Sequence, residues 1–194
     1  MAFCDLFKEF QPIRVDEDIY LRQTDPKKDA RPFWEIYYDE ENFKYFGLYK
    51  RPGEWNEERE LRVQESRLKG FRGKREYTWV VTLKGETIGQ IQLFNFGNHN
   101  TLAEVGYFIK RKYWNQGINT KVLKAVCRFG FEVMGLERIE ANAHVDNIGS
   151  NRTLEKAGFT KEGTLRRRFC LNDRNEDGNI YSILRGIFYK EESE

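Results

Sequence analysis

A polar, basic loop that ends in a glycine separates two stretches with different apolar patterns. The stretch before it, residues 103–109 (AEVGYFI), is rich in β-branched and aromatic residues and predicts a strand. From Ile118 onward, apolar residues recur at three- and four-residue spacing, which predicts an amphipathic helix. The first turn of a helix has four unpartnered N–H groups at the positive end of its dipole. A strand, a tight turn over 110–117 and a helix start therefore predict either an anion site suited to a diphosphate or an ordinary connection that binds nothing.

The elements around this junction predict one mixed α/β domain over residues 1–194. Three β-prone segments joined by short turns form an antiparallel meander. The predicted order is a strand at 19–23, helices at 29–39 and 57–71 with a loop at 47–53 between them, meander strands at 77–83, 87–96 and 103–109, a helix at 118–134, a strand at 138–143, a helix at 148–156, and strands at 159–169 and 180–189 with a turn at 172–178.

Composition excludes several classes of protein. Lys and Arg number 33 against 31 Asp and Glu, so the formal charge of +2 gives no push toward nucleic acid or membrane. The sequence contains no run of ~18 apolar residues, the length needed to span a bilayer. The N-terminal segment carries Asp5 and Glu9 and has no long apolar stretch, so it does not resemble a secretory signal. The three cysteines, Cys4, Cys127 and Cys170, lie far apart and predict neither a disulfide framework nor a metal site. We therefore expect a reducing, cytoplasmic compartment.

Four short sequence segments, taken together with their order and spacing, are informative about the family. They are the strand AEVGYFI at 103–109, the turn WNQGIN at 114–119, the segment NIGSN at 147–151 and the ending LEKAGF at 154–159. Together they resemble the GNAT superfamily of N-acetyltransferases, and most closely its RimJ/RimL-type branch, which acetylates the N-termini of proteins, including ribosomal proteins. The resemblance covers nearly the whole chain.

This resemblance implies a mostly antiparallel sheet of about seven strands, splayed between its fourth and fifth strands and flanked by about four helices. It also implies acetyl-CoA as the donor, direct transfer of the acetyl group to a primary amine, and no metal. In the splay, the pantetheine arm would pair with the backbone of Phe108 and Ile109. The counterpart of the family's pyrophosphate loop comprises Asn115, Gln116, Gly117, Ile118, Asn119 and Thr120.

The loop departs from the family's usual pattern, which is Arg or Gln, two residues, Gly, one residue, then Gly or Ala. Trp114 stands at the first position and Asn119 at the last, and Gly117 alone is kept. Because N–H groups make the contacts and every non-proline residue supplies one, we expect binding to survive with weaker or altered affinity. The basic residues at 110–112 either add charge near the phosphates or are simply solvated.

The chemistry requires a base, since an α-amino group with a pKa of ~7.7–8.0 is mostly protonated at neutral pH. Glu104 is the first candidate because it lies two residues before Gly106, in the strand that should meet the thioester, where the family often carries a glutamate. A carboxylate among Ala103, Val105 and Phe108 is costly unless it is functional or paired. The structural alternative is a strand-edge glutamate in water.

The departing thiolate needs a hydrogen-bond donor. Many relatives place a tyrosine where this chain has Leu154, whereas the N-terminal branch uses a serine one turn earlier, here Ser150. Ser150 could instead only support the helix start. By resemblance, Asn147 and Asn151 contact the pantetheine amides or the adenosine side, although Asn147 could equally be a plain N-cap. His144, just past a strand, is the reserve candidate for the base.

Three functions stay open at this point. The first is acetylation of a protein N-terminal α-amino group, and the second is acetylation of a small amine such as a polyamine, amino sugar or antibiotic. The third is an idle acyl-CoA-binding module, suggested by Leu154 and Asn119. We expect no membrane and no direct nucleic-acid partner; monomer and homodimer both remain possible. The basic run at 166–168 reads as a solvated strand face or as a rim that meets an acidic partner.

Overall fold

The computed structural model describes residues 3–45, 56–171 and 174–191. Its centre is one sheet of eight strands in the order β1-β2-β3-β4-β5-β6-β8-β7. The strands are β1 (Ile13–Arg14), β2 (Ile19–Arg22), β3 (Glu76–Leu83), β4 (Glu86–Gly97), β5 (Leu102–Ile109), β6 (Arg138–His144), β7 (Thr160–Leu171) and β8 (Arg174–Leu184). The helices are α1 (Pro26–Tyr38), α2 (Glu40–Phe43), α3 (Glu57–Arg72), α4 (Ile118–Glu132), α5 (Ile148–Lys156) and α6 (Arg185–Glu191).

The predicted mixed α/β class is confirmed, and so is the mostly antiparallel sheet. The structure has eight strands rather than about seven because a two-residue β1 adds an edge, and its helices include a four-residue α2 that the sequence did not predict. The loop predicted at 47–53 lies outside the described residues, as do the first two residues of the turn predicted at 172–178.

The strand predicted at 180–189 is wrong in its second half, because β8 ends at Leu184 and α6 follows. Consecutive apolar residues at 187–189 satisfy either period, so the pattern alone could not separate strand from helix. In the structure Phe188 is buried against Phe131, with ring centroids 5.4 Å apart, while Ile187 is exposed. Packing against α4 decides the helical form.

Two helical layers cover the sheet, as the alternation of neighbouring residues on β3 shows. The Trp79 ring meets Phe129 of α4 at 5.2 Å, while Val80 forms a cluster with Phe33 and Ile36 of α1. Successive strand residues point to opposite faces, so α4 and α1 lie on opposite sides of the sheet. Full burial of each such side chain stabilises the fold by about 1.5–3 kcal/mol.

A buried ion pair fastens α1 to the sheet. The Arg22 guanidinium on β2 donates to both carboxylate oxygens of Asp29, each at 2.7 Å, and Asp29 is fully buried. The Thr87 hydroxyl on β4 donates to the same carboxylate at 2.9 Å. These bonds satisfy the charge that burial would otherwise make costly.

The sheet divides between β5 and β6. These two strands are the parallel neighbours, and their register pairs run only from Leu102↔Arg138 to Glu104↔Glu140. Beyond Glu104, β5 continues beside β4 as far as Ile109, while β6 continues beside β8 as far as His144. The gap between the diverging parts of β5 and β6 is called the wedge below. Leaving the two-residue β1 aside, the wedge lies between the fourth and fifth strands, as predicted.

Candidate active site

Some backbone N–H and C=O groups of β5 point into the wedge. Thr101 accepts a hydrogen bond from the Glu137 N–H at 2.7 Å, on the β6 side, whereas the Lys110 N–H donates to Ile88 at 2.7 Å, on the β4 side. Because backbone groups alternate along a strand, residues of odd number in β5 direct theirs toward β6. Val105 and Tyr107 are odd-numbered positions beyond the last β5–β6 register pair.

The backbone groups of Phe108 and Ile109, the two residues predicted to pair with pantetheine, point in different directions. Phe108 lies opposite Gln90 of β4 and directs its backbone to that strand by the same alternation. The Ile109 carbonyl accepts a hydrogen bond from the Trp114 indole N–H at 2.9 Å. The pairing at Phe108 and Ile109 stays a prediction. By the same alternation Ile109 faces the wedge together with Tyr107 and Val105, whereas Phe108 does not.

The predicted anion loop forms one turn at the start of α4. Gly117 is the N-cap in a left-handed conformation, with φ of 74°, and it provides no side-chain cap. Among the described residues, none accepts a hydrogen bond from the N–H groups of Asn115, Gln116, Gly117, Ile118, Asn119 or Thr120; the Lys121 N–H is the first to bond, to Gly117 at 3.1 Å. Ile118 is buried and anchors the turn. The loop therefore fits a diphosphate through backbone donors.

The basic residues beside this loop are bound to carboxylates. Glu86 accepts hydrogen bonds from Tyr113 at 2.7 Å, Lys112 at 3.0 Å and Lys110 at 3.1 Å. The Tyr113 and Lys112 bonds hold the pKa of Glu86 at about 2. Arg111 forms a 3.0 Å ion pair with Asp39. Any charge they lend to a phosphate is thus shared with acids of the protein.

Glu104 occupies the last β5–β6 register pair, at the root of the wedge. Its carboxylate accepts hydrogen bonds from the Asn95 amide at 2.9 Å and from the Asn142 amide at 3.3 Å. Asn95 has a φ of 52° within an irregular part of β4, which turns its side chain toward β5. Glu104 is half-buried and held from two sides, as a positioned base requires.

Neither Asn95 nor Asn142 was among the residues predicted from the sequence. Asparagine is depleted in strands, so Asn142 within RIEANAH was a usable signal. Its Oδ1 atom is buried without a hydrogen-bond partner.

Ser150 lies in the first turn of α5. Its N–H donates to the Asn147 side chain at 3.1 Å, so Asn147 is the N-cap that one reading of the sequence predicted. The Ser150 Oγ atom lies 3.2 Å from the Tyr107 hydroxyl on β5. Burial raises the pKa of Tyr107, so its phenol keeps its proton. Tyr107, also missed from the sequence, links the wedge strand to Ser150.

Asn151 is the centre of a buried network. Its amide nitrogen donates to the His144 and Asn147 carbonyls at 2.9 and 2.7 Å, and its oxygen accepts from Asn179 and Tyr181, each at 2.8 Å. A coenzyme contact by this side chain would have to replace one of these four bonds. Asn151 thus joins α5 to β6 and β8.

His144 closes the far end of β6. Its Nδ1 atom accepts a hydrogen bond from the Asp146 N–H at 3.1 Å, and its ring stacks on Tyr45 at 5.2 Å. The neutral ring therefore carries its proton on Nε2. In this tautomer Nε2 has no free lone pair, which opposes the reserve role of His144 as a base.

The profile of the acetyltransferase (GNAT) domain matches residues 18–160. The chain belongs to the GNAT acetyltransferase family. It is an N-acetyltransferase, and acetyl-CoA is its donor. Within the described residues, none of the helices is long and apolar enough to cross a membrane.

Several curated relatives are similar along most of the chain. The uncharacterized N-acetyltransferase YoaA of Bacillus subtilis is 32% identical over 90% of this chain and 97% of its own length. The putative ribosomal N-acetyltransferase YdaF of the same organism is 28% identical, over 89% and 94%. The spermidine N(1)-acetyltransferase of Escherichia coli K12 is 29% identical, over 84% and 78%.

Among solved structures, a probable acetyltransferase superimposes with a TM-score of 0.83 at 25% identity, covering 92% of this chain and 99% of its own. The resemblance to the GNAT fold is thereby confirmed. The relatives differ in the amines that their names carry, so family membership leaves the acceptor open.

Proposed function

We propose that this chain acetylates the α-amino group of a peptide or protein N-terminus. The observation that carries the proposal is the position of Glu104, held by Asn95 and Asn142 at the root of the wedge where the thioester would end. A carboxylate so placed can take a proton from an incoming ammonium, directly or through one water. The neutral amine then attacks the acetyl carbonyl.

The residues around the wedge divide the remaining tasks. The N–H groups of residues 115–120 would hold the diphosphate, and the backbone of Val105 and Tyr107 would pair with the pantetheine arm or receive the developing oxyanion. The Ser150 hydroxyl, oriented by Tyr107, would donate to the departing sulfur. Starting from the ammonium, two N–H bonds and one C–S bond break and one C–N bond forms. One proton leaves through Glu104 to solvent, and the other ends on the thiol of the coenzyme.

The name of YdaF supports a ribosomal-protein acceptor, whereas that of the spermidine enzyme supports a polyamine as the second candidate. The idle-module alternative is opposed by the Tyr107–Ser150 pair, which supplies a donor that Leu154, buried in the core, cannot.

One assay separates these functions. Purified protein is mixed with acetyl-CoA and with Ala-, Ser- and Thr-initiated peptides, spermidine or aminoglycosides, and free thiol and product mass are followed. Matched peptides with blocked N-termini and an internal lysine are the control. We expect thiol release only with free α-amino peptides. Preference for spermidine would favour the polyamine reading, and coenzyme binding without thiol release for any amine would favour the idle module.

A further inference from the structure

Two buried polar atoms without partners lie on one face of β6. They are Asn142 Oδ1 and His144 Nε2, and His144 is only 4% exposed. A buried polar group without a partner is energetically costly, and such groups in folded proteins are usually met by water or by a ligand. Here both belong to the strand that borders the wedge.

The side chains of Asn142 and His144 lie on the same sheet face as Glu104, the proposed base. Residues two apart on a strand point to the same face, so Asn142 and His144 are aligned, with Cα atoms about 6.6 Å apart. Asn142 donates to Glu104 through its amide nitrogen, which turns its Oδ1 away from that carboxylate. The free oxygen therefore belongs to the amide that binds the proposed base but is not itself bonded to that carboxylate.

The two atoms have opposite hydrogen-bonding characters. Asn142 Oδ1 can only accept, whereas His144 Nε2 carries a proton and donates, because the Asp146 N–H occupies Nδ1. Tyr45 and Phe169 pack on the imidazole, with ring centroids at 5.2 and 5.9 Å, and restrict its rotation. The face of β6 thus offers an acceptor followed by a donor.

We infer that Asn142 and His144 read an α-aminoacyl group, with Asn142 accepting from its amine and His144 donating to its first carbonyl. The amine and carbonyl of one residue supply a hydrogen-bond donor and an acceptor in one short fragment, the complement of the Asn142 acceptor and the His144 donor. A polyamine has no carbonyl and would leave the His144 donor unsatisfied. This inference rests on the proposed function and explains how the same site would reject polyamines.

The test compares two amines that differ in one group, alaninamide and isopropylamine, the second of which lacks the carboxamide. Activity is followed as kcat/KM with acetyl-CoA for the wild type, His144→Phe and His144→Gln. Phe keeps the ring stacking and removes the donor, and Gln restores an N–H near Nε2. His99→Asn, at an exposed turn, is the control.

We expect His144→Phe to lose about 10- to 100-fold with alaninamide and little with isopropylamine, and His144→Gln to recover most of the loss. Equal loss for both amines, or no loss for either, would overturn the inference while leaving the proposed function intact. Failure of the wild type to acetylate alaninamide and free peptides would instead remove the proposed function. Coenzyme binding and Tm of each variant show that it is folded.

Discussion

The hydroxyl of Tyr107 on β5 lies 3.2 Å from the Ser150 Oγ atom on α5, across 43 residues of sequence. Because burial keeps the Tyr107 phenol protonated, it can donate to Ser150 and leave the serine proton free to point elsewhere. A chain of two hydroxyls polarises the outer one more than a lone serine would. The pair connects the strand that would hold the pantetheine arm to the group that would meet its sulfur.

Removing either hydroxyl of this pair should slow turnover. We expect Tyr107→Phe and Ser150→Ala each to lower kcat by about 10-fold or more with coenzyme affinity nearly unchanged. The double variant should be little slower than the slower single one, since coupled residues show interaction energies of about 0.5–3 kcal/mol. Steady-state kinetics measures this cycle. Tyr189→Phe is the control, since it removes a phenol on α6 that bonds to Glu132 at the end of α4. Strictly additive losses would contradict the coupling.

Glu104→Gln should lower kcat by about 10²–10⁴ while coenzyme affinity changes little, because the amide is isosteric but cannot take a proton. Glu140→Gln is a matched control, since Glu140 lies opposite Glu104 in the register but bonds to Arg138 at 2.7 Å. Kinetics at neutral pH measures the effect on turnover, and titration with the coenzyme measures the effect on its binding. If the Gln variant retained full activity, the base would have to be another group.

Gly117→Ala should weaken coenzyme binding. A side chain at φ of 74° is strained by about 1–2 kcal/mol, and the loop would relax away from the geometry that aims its N–H groups. Gly135→Ala provides the control because Gly135 has the same φ and equally open surroundings outside the loop. Both should lower Tm by a few degrees, since ~1 kcal/mol corresponds to ~2–4 °C at this size. Only Gly117→Ala should raise the coenzyme Kd, and an equal rise in both would contradict the assignment.

Asp29→Asn should destabilise the protein by about 3 kcal/mol or more, because it leaves the Arg22 guanidinium without the buried negative charge that it pairs with. Asp18→Asn, which removes one end of an exposed 3.6 Å pair with Lys84, should cost less than about 1 kcal/mol. Urea unfolding of both variants gives the comparison. Similar losses would show that the buried pair contributes no more than the surface one.

Glu86 should stabilise the protein in a pH-dependent way. Its pKa is lowered to about 2 in the folded state, so its contribution is complete above the ordinary carboxyl pKa of ~4.3 and is lost as pH falls toward about 2. The difference in unfolding free energy between wild type and Glu86→Gln should therefore be largest at neutral pH and vanish near pH 2. A difference that does not change with pH would mean that charge is not the cause.

The local parts of the site could be predicted from sequence. Gly117 before a patterned helix, and Asn147 capping the turn that holds Ser150, follow from short-range rules of backbone and capping. The roles of Tyr107 and Asn142 could not be predicted in this way, because they depend on which strands lie side by side. Asn142 is 38 residues from the carboxylate that it binds.

The basic residues at 110–112 show the same limit. Their charge is plain in the sequence, but whether it is available depends on Glu86 and Asp39, which tertiary structure brings to them. The helix α6 was missed for a different reason, since its apolar run suits either element and burial of Phe188 decides the matter.

The divergence of β5 from β6 after Glu104 also has a consequence for aggregation and proteolysis of the protein. A strand with unbonded N–H and C=O groups is a template on which another chain can assemble. A coenzyme lying along that strand would cap the template, and a ligand bound only by the folded form stabilises it by about 2.7 kcal/mol at 100 times its Kd. The concentration of acetyl-CoA would then affect solubility and resistance to proteolysis as well as turnover. The bound coenzyme would occupy the unpaired edge of β5, the position that another strand would otherwise fill.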